Sequence, residues 1–417
     1  MNKFLKLSAC GLLAASNLAF AAEGQAPNGI PHLDHVFLIM MENHGASQIL
    51  NNPNAPFINQ LAASANLATN YFAIGHPSLT NYLEVVGGSN FGVRSDNYPS
   101  WHDASCSPNL ATGIAATDNP ASAKICPIGG VGTDAATPAV DTTNEAQGLP
   151  GENDIDGILS VPAASYTVGK TIADQLVEHG LSYKSYQESL PLAGADNVNF
   201  SDGYYTDSTN FAAITPALNP PLSTSSVVAL YAVKHNPFVY FRNVQSGQDA
   251  RNSLKNTVGF DGAHGLYADL GSGHVPHFSF IAPNQCNDQH GRGNAGAFCN
   301  YDPASDGSQA SLNPALIARG DMTVQRLVTA IKHSEAWHDG KNVIIVMWDE
   351  NDYSTAPNIN KVAAIVETNY GVHGVQSANY YNHFSMLKSI EAGFHLPCLN
   401  HACDANVPLM SDLFGGR

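Results

Sequence analysis

Three apolar segments that lie far apart in the sequence each end in acidic, amide or imidazole side chains. The segments cover residues 35–41, 277–281 and 342–348. The polar residues that follow them are Glu42, Asn43, Asp288, His290, Asp349 and Glu350. If the segments are parallel strands of one open α/β sheet, their carboxyl ends border the crevice where such sheets bind ligands. One carboxylate at a strand end is more often a helix cap or turn residue, but three such ends favour a functional site.

Carboxylates that converge in this way repel one another and raise one another's pKa values unless a cation neutralises them. Oxygen ligands combined with imidazole suit a divalent metal ion such as zinc or manganese, with calcium and magnesium as alternatives. His383, at the start of the last predicted helix, can supply another imidazole. A single histidine is more often a structural hydrogen-bonding group, and that role is assigned to His44, His102 and His373.

A serine is the candidate nucleophile. Ser78 lies in the segment 75–82 (GHPSLTNY), which follows a strand-like segment at 68–74 and has helical character from Leu79 onward. The free N–H groups and the dipole at a helix N-terminus favour an anion such as phosphate. An isolated serine in this place is more commonly only an N-cap. A metal ion, however, can generate a serine alkoxide without a histidine base.

Signatures of other chemistries are absent or incomplete. The sequence contains neither the G-x-S-x-G of an α/β-hydrolase nor the H-E-x-x-H of a zinc protease. Residues 169–171 (GKT) resemble the end of a P-loop, but Ala164 stands where the first glycine belongs. The formal net charge of −17 argues against binding to the nucleic-acid backbone, which needs clustered Lys and Arg.

The elements that must position these residues alternate along the chain. Predicted strands cover residues 35–41, 181–186, 237–241, 277–281 and 342–348, and predicted helices cover 57–67, 168–179, 321–334 and 383–393. This alternation predicts one α/β domain, from residue 22 to 417, with a mostly parallel sheet. Residues from about 104 to 165 have little periodicity and are predicted to be a loop-rich insertion.

The first 21 residues have the pattern of a cleavable signal peptide. Lys3 and Lys6 precede an apolar run that ends in AFA at 19–21, and no later stretch is long and apolar enough to span a bilayer. We therefore expect a secreted or periplasmic protein. Six cysteines follow the signal, which suggests three disulfides in an oxidising compartment. The simplest pairing, by proximity, is Cys106–Cys126, Cys286–Cys299 and Cys398–Cys403.

Four motifs resemble the bacterial phosphoesterase family, which contains phospholipases C and acid phosphatases and belongs to the alkaline phosphatase superfamily. The motifs are MENHG at 41–45, HPSLTNY at 76–82, NQCNDQH at 284–290 and WDEND at 348–352. Weaker similarities are KHNPF at 234–238 and the segment 380–396, so that the resemblance extends from about residue 33 to 415. It implies a three-layer αβα sandwich around a mostly parallel sheet, like that of alkaline phosphatase.

The resemblance also implies roles for single residues. Ser78 is expected to be the nucleophile that becomes transiently phosphorylated, and Asn81 and His76 are expected to contact the substrate. The residues expected to hold a metal ion are Glu42, Asn43, Asp349 and Glu350. The residues expected to bind a second metal ion or the phosphate are Asp288, His290 and His383, and either histidine can protonate the leaving group. Glu350 stands where two-zinc members of the superfamily have a histidine, so one or two ions, most simply zinc, are expected.

These observations predict a secreted, metal-dependent phosphoesterase. Phospholipase C acting on glycerophospholipids is the first expectation, and a broad-specificity acid phosphatase is the alternative. In either case the expected binding partner is a phospholipid or a small phosphate ester, with at most transient contact with a membrane surface. The protein is expected to be a monomer. A non-catalytic exported binding protein of the same fold is a second alternative. A carboxylate-pair glycosidase would explain the acids but leave Ser78 and Asn81 without a role.

Overall fold

The computed structural model describes residues 23–93, 96, 99, 127–129, 167–190, 203–204, 229–291, 299, 314–352 and 359–416. The predicted signal peptide at 1–21, the pair Cys106–Cys126 and nearly all of the insertion at 104–165 lie outside these residues. The assignment of residues 22–417 to one domain stays a prediction.

A nine-stranded sheet lies at the centre of the described chain, beside a separate two-stranded one. The strands are β1 (His35–Met41), β2 (Asn66–Phe72), β3 (Tyr183–Gln187), β4 (Gly203–Tyr204), β5 (Ala229–Tyr231), β6 (Thr257–Val258), β7 (Phe278–Ala282), β8 (Asn342–Trp348), β9 (Lys361–Thr368), β10 (Gln376–Ser377) and β11 (Tyr381–Asn382). The order along the large sheet is β10-β2-β9-β8-β1-β7-β3-β6, with β11 also paired to β2, and β4 pairs with β5.

The large sheet is mixed but mostly parallel, as predicted. β1 is parallel to both β7 and β8, and β3 is parallel to both β6 and β7. β9 is antiparallel to its two neighbours, β8 and β2. The central strands β1 and β8 are buried on both faces, which explains their continuous apolar sequences.

Two groups of helices cover the sheet and complete a three-layer αβα sandwich. The helices are α1 (Ala46–Ile49), α2 (Pro56–Ser64), α3 (Ser78–Gly87), α4 (Ile172–Glu178), α5 (Arg242–Ser246), α6 (Leu266–Ser272), α7 (Pro314–His333), α8 (Glu335–His338) and α9 (His383–Phe394). In one group, α2 and α6 pack against α7, which is followed by α8; in the other, α4 and α9 pack against α3. The second group includes the helix that begins at Ser78.

One predicted strand is wrong. Residues Pro237–Tyr240 form a 3₁₀ turn that follows another 3₁₀ turn at Val233–His235. Proline is well tolerated at the first position of a helical turn because its missing N–H has no partner to lose there. Since Pro237–Tyr240 is also fully buried, its apolar run reflects burial and not an extended backbone.

Two of the three expected disulfides are present within the described residues. Cys286 pairs with Cys299 and Cys398 pairs with Cys403. None of the helices that the structure describes is both long and apolar enough to cross a membrane.

Candidate active site

The carboxyl ends of β1, β7 and β8 meet at one edge of the sheet. Met41 and Trp348 are partners in the parallel register, which places Glu42 beside Asp349. The Asp349 N–H donates to the Met41 carbonyl at 3.1 Å, and the Glu42 N–H donates to the carbonyl of Asp288 at 2.9 Å. The three strand ends singled out in the sequence therefore converge.

Three buried carboxylates at this edge, Glu42, Asp349 and Glu350, form what we call the acidic cluster. Each offers an oxygen atom, and the three atoms lie within 4.8 Å of one another. Burial raises the pKa of Asp349 well above its usual range, and the charges of Glu42 and Glu350 raise it further. Burial also raises the pKa of Glu350, although the neighbouring His76 ring opposes that shift.

The acidic cluster fits a divalent cation. The Asn43 N–H donates to Asp349 Oδ1 at 2.9 Å, whereas no hydrogen-bond donor among the described residues reaches the buried Asp349 Oδ2. A cation held by the three carboxylates would neutralise their repulsion and satisfy that oxygen. Asn43 has a φ of 53°, in the left-handed region that asparagine tolerates better than most residues.

The side chain of Ser78, at the start of α3, lies against the acidic cluster. Its Oγ is 3.1 Å from Glu350 Oε1 and 3.3 Å from Glu42 Oε2, so that the hydroxyl can donate to either carboxylate. The side chain is buried. The structure thus brings the predicted nucleophile to the acidic cluster, which contains three of the four residues predicted for the first metal ion.

Two basic residues of the site, one of them in contact with Ser78, were not recognised as site residues in the sequence. Lys234 and His235 lie on the 3₁₀ turn Val233–His235 and are both buried. Lys234 Nζ lies 3.3 Å from Ser78 Oγ, 3.0 Å from Asp96 Oδ2 and 3.3 Å from His290 Nε2. The only sequence signal for this pair was the KHNPF motif at 234–238, and a 3₁₀ turn has no periodicity that would reveal it.

His235 contacts two acidic residues that follow different strands, Glu42 after β1 and Asp288 after β7. Its Nε2 lies 2.6 Å from Glu42 Oε1, its Nδ1 lies 3.3 Å from Asp288 Oδ2, and its ring stacks on Tyr82. Burial opposes the charged imidazole, but Glu42 and Asp288 outweigh it and raise the pKa of His235 to about 9. In turn, His235 and Lys234 hold the pKa of Glu42 well below its usual range despite its burial. Burial raises the pKa of Asp288 although His235 opposes the shift.

The two predicted substrate contacts lie beside Glu350. Asn81 Oδ1 accepts the N–H groups of Ile74 and Gly75 at 3.0 and 3.1 Å, and Asn81 Nδ2 donates to Glu350 Oε2 at 3.3 Å. His76 Nδ1 lies 2.8 Å from Glu350 Oε2. Both side chains therefore hold Glu350 and the loop before Ser78 in this structure, and their contact with a substrate stays a prediction.

The remaining predicted histidines differ in their surroundings. His290 is on the Ser78 side of the site, where its Nδ1 donates to the Gly291 carbonyl at 2.9 Å and its Nε2 faces Lys234. His383 is buried, with Nε2 donating to the Asp349 carbonyl at 2.7 Å and Nδ1 facing the Tyr71 hydroxyl at 3.0 Å. Burial lowers the pKa of His383 to about 4. Binding of a metal or a proton transfer by His383 would require one of these bonds to break.

Comparison with known proteins agrees with this geometry. The sequence model of the Phosphoesterase family matches residues 41–300. This stretch includes Ser78, Lys234 and His290. The chain belongs to this family. It is a phosphoric ester hydrolase, and its acidic cluster can hold a divalent metal ion.

Individual relatives are distant. A phosphatidylinositol-3-phosphatase of Mycobacterium tuberculosis is 24% identical over 98% of this chain and 94% of its own length. A probable acid phosphatase of Kluyveromyces lactis is 23% identical over 89% of this chain, which spans only 61% of that relative. A solved protein in the alkaline phosphatase superfamily from Vibrio parahaemolyticus is 13% identical, with a TM-score of 0.42, over 93% of this chain and 72% of its own.

Proposed function

We propose that the protein is a metal-dependent phosphomonoesterase that uses Ser78 as its nucleophile. The observation that carries the proposal is the position of Ser78 Oγ, within 3.3 Å of Glu42, Glu350 and Lys234 at the start of α3. A serine in contact with two carboxylates and an ammonium is poised both to lose its proton and to have its negative charge stabilised.

The residues that would hold the metal ion are Glu42, Asp349 and Glu350, with Asn43 beside them. When bound, such an ion lowers the pKa of a nearby hydroxyl and supplies positive charge to a phosphoryl group. Zinc is the ion expected from the family resemblance, whereas the acidic cluster offers only oxygen atoms, which by themselves suit manganese, calcium or magnesium.

The reaction then proceeds in two steps. The Ser78 hydroxyl gives its proton to Glu350 or Glu42, its two carboxylate acceptors. Ser78 Oγ attacks phosphorus, the serine–phosphorus bond forms, and the bond to the ester oxygen breaks. The leaving alkoxide takes a proton from a nearby acid, for which His290 is the candidate on the Ser78 side of the site. Water attacks the phosphoserine in the second step, which releases inorganic phosphate and restores Ser78.

Phosphate monoesters are the substrates that the relatives support, because both curated relatives named above are called phosphatases. The phospholipase C expected first from the sequence would instead cleave the diester of a glycerophospholipid. The two activities share Ser78 and the acidic cluster, so that only their products distinguish them.

Export is a further part of the proposal. The pattern of residues 1–21 supports a cleaved signal, and the disulfides Cys286–Cys299 and Cys398–Cys403 are typical of oxidising compartments. Mass analysis of the protein from the culture medium and periplasm should find a chain that begins at Ala22. A chain that keeps residues 1–21 and stays in the cytoplasm would contradict export.

The decisive experiment compares Ser78→Ala with the unchanged protein, both loaded with metal. Phosphate release from p-nitrophenyl phosphate should be lost in the variant, and acid-quenched protein should carry phosphate on the Ser78 peptide only when Ser78 is present. Ser64→Ala, at the exposed end of α2, is the matched control and should keep full activity. Retained turnover in Ser78→Ala would refute the nucleophile.

The same preparations distinguish the substrates. Release of phosphate from p-nitrophenyl phosphate and from phosphatidylinositol 3-phosphate, without diacylglycerol from phosphatidylcholine, would support the phosphomonoesterase. Release of diacylglycerol as the faster reaction would establish the phospholipase C instead. Failure to turn over any of the three substrates would favour the non-catalytic binding protein.

A further inference from the structure

Lys234 is a buried cation to which the two reaction steps assign no contact with the phosphoryl group. Its three possible N–H donors face three different groups: Ser78 Oγ at 3.3 Å, Asp96 Oδ2 at 3.0 Å and His290 Nε2 at 3.3 Å. An ammonium that contacts a nucleophilic oxygen also lies within reach of any group that becomes bonded to that oxygen. Lys234 is therefore placed for the phosphoryl group as well as for Ser78.

Neighbouring carboxylates favour the charged form of Lys234. Burial opposes its charge, but the carboxylates of Asp96, Glu42 and Glu350 outweigh burial and raise the pKa of Lys234 above its ordinary value. An ammonium 3.3 Å from Ser78 Oγ stabilises negative charge on the serine oxygen and on phosphoryl oxygens.

Asp96 is the group that an entering phosphate has to replace. The Lys234 side chain is 11% exposed, whereas that of Asp96 is 35% exposed, so the carboxylate lies on the more open side of the ammonium. The other Asp96 oxygen accepts the N–H of Leu79, the residue after the nucleophile, at 3.1 Å. One carboxylate thus bridges two donors that flank Ser78, and a phosphoryl oxygen competes for the same donors.

We propose that Lys234 is a catalytic residue that binds a non-bridging oxygen of the phosphoryl group beside Ser78, in exchange for the carboxylate of Asp96. The proposal rests on the proposed role of Ser78 as the nucleophile. It predicts opposite effects for the two partners of one ion pair: loss of Lys234 weakens phosphate binding, and loss of the Asp96 charge strengthens it.

The test measures binding of inorganic phosphate by titration calorimetry, in the Ser78→Ala background and with the metal ion bound. Adding Lys234→Met should raise the Kd of phosphate roughly ten- to hundredfold, the effect of losing one charge-assisted hydrogen bond. Adding Asp96→Asn should lower the Kd severalfold. Metal content is measured for each variant, so that a change in metal loading is not mistaken for a change in phosphate affinity.

Matched controls remove one lysine charge and one aspartate charge from ion pairs outside the site. Lys170→Met breaks a surface pair with Glu178, and Asp249→Asn breaks an exposed pair with Arg251. Neither control should change the Kd. Lys234→Gln is a second variant in case methionine disturbs folding, which circular dichroism would reveal, and it should behave as Lys234→Met does.

Two results would overturn the proposal. An unchanged Kd in folded Lys234→Met or Lys234→Gln would show that Lys234 does not bind phosphate. Weaker binding in Asp96→Asn would show that Asp96 positions the ammonium and does not compete for it. Because every titrated variant lacks Ser78, these results are independent of the nucleophile claim, which fails only if Ser78→Ala itself turns over substrate.

Discussion

His235 determines where one oxygen of Glu42 lies. Its ring contacts Glu42 Oε1 and Asp288 Oδ2, which leaves Glu42 Oε2 directed to Ser78. Residues that orient a metal ligand in this way typically change metal affinity by about 10–100-fold when they are replaced. We therefore predict that His235→Asn, whose side chain is too short to bridge both carboxylates, weakens zinc binding by about that factor.

Zinc titration of the metal-free protein measures this effect directly, without reference to activity. The matched control is His179→Asn, because the His179 ring hydrogen-bonds the Gln175 carbonyl at the end of α4, outside the site. Equal zinc affinity in His235→Asn and the unchanged protein would show that Glu42 keeps its orientation without the imidazole.

The residue types of the site were largely predictable, but their partners were not. Glu42 and Asp349 could be found because buried apolar strands reveal their own ends and parallel strands end on the same side. Ser78 could be found because helical character begins at the next residue. Lys234 and His235 were missed because a short 3₁₀ turn leaves no repeating pattern. The contacts of His383 with Asp349 and Tyr71 depend on where the first residue of α9 lies in the folded chain, which one sequence does not specify.

At the scale of elements, α2 depends on another helix for its N-terminal cap. α2 begins at Pro56, and the preceding Ala55 has no side chain that can cap it. Asp321 of α7 takes that role, since its carboxylate accepts the N–H groups of Phe57 at 3.2 Å and Ile58 at 2.7 Å. Removing a cap typically costs about 1–2 kcal/mol, and we predict this loss of unfolding free energy for Asp321→Ala.

Chemical denaturation measures the prediction, with Asp321→Asn as the comparison. Asparagine keeps one acceptor oxygen and should lose less stability than alanine. If both variants unfold at the same denaturant concentration as the unchanged protein, the two hydrogen bonds make no net contribution.

The elements also show where sequence patterns are ambiguous. The run at 342–348 predicts β8 well because its six consecutive apolar residues, from Val343 to Trp348, suit a strand buried on both faces. The run at 237–241 looks similar but forms a turn, since apolar character indicates burial and not backbone conformation. β9 pairs antiparallel with β8, a direction that the composition of the strand does not indicate.

At the scale of the whole molecule, a metal ion in the acidic cluster should contribute to stability as well as to activity. An ion that binds only the folded state stabilises it by about 2.7 kcal/mol at one hundred times its dissociation constant. Treatment with EDTA should therefore abolish phosphate release and lower the Tm, and added zinc should restore both. Glu350→Gln, which removes one of the three charges, should show a smaller change in Tm. A Tm that responds to neither EDTA nor zinc would refute the site.

The pH dependence of the unfolding free energy should reflect the titration of another buried carboxylate, Asp174, which lies outside the acidic cluster. Asp174 in α4 accepts the Thr171 N–H at 2.7 Å and the side chain of Asn252 at 2.6 Å. Burial nevertheless outweighs these hydrogen bonds and raises the pKa of Asp174 from 3.8 to about 6. The folded state therefore holds this proton more tightly than the unfolded state does.

The sign of the effect follows from this difference. The stabilisation linked to the proton is complete below pH 3.8 and is lost as the pH rises through about 6. Two pKa units correspond to about 3 kcal/mol. We predict that the unfolding free energy of Asp174→Asn, minus that of the unchanged protein, increases by up to this amount across the window, because asparagine has no proton to lose.

The control Asp249→Asn should show the opposite trend, since Arg251 lowers the pKa of this exposed carboxyl. A difference for Asp174→Asn that is flat or falls with pH would mean that its hydrogen bonds compensate for burial.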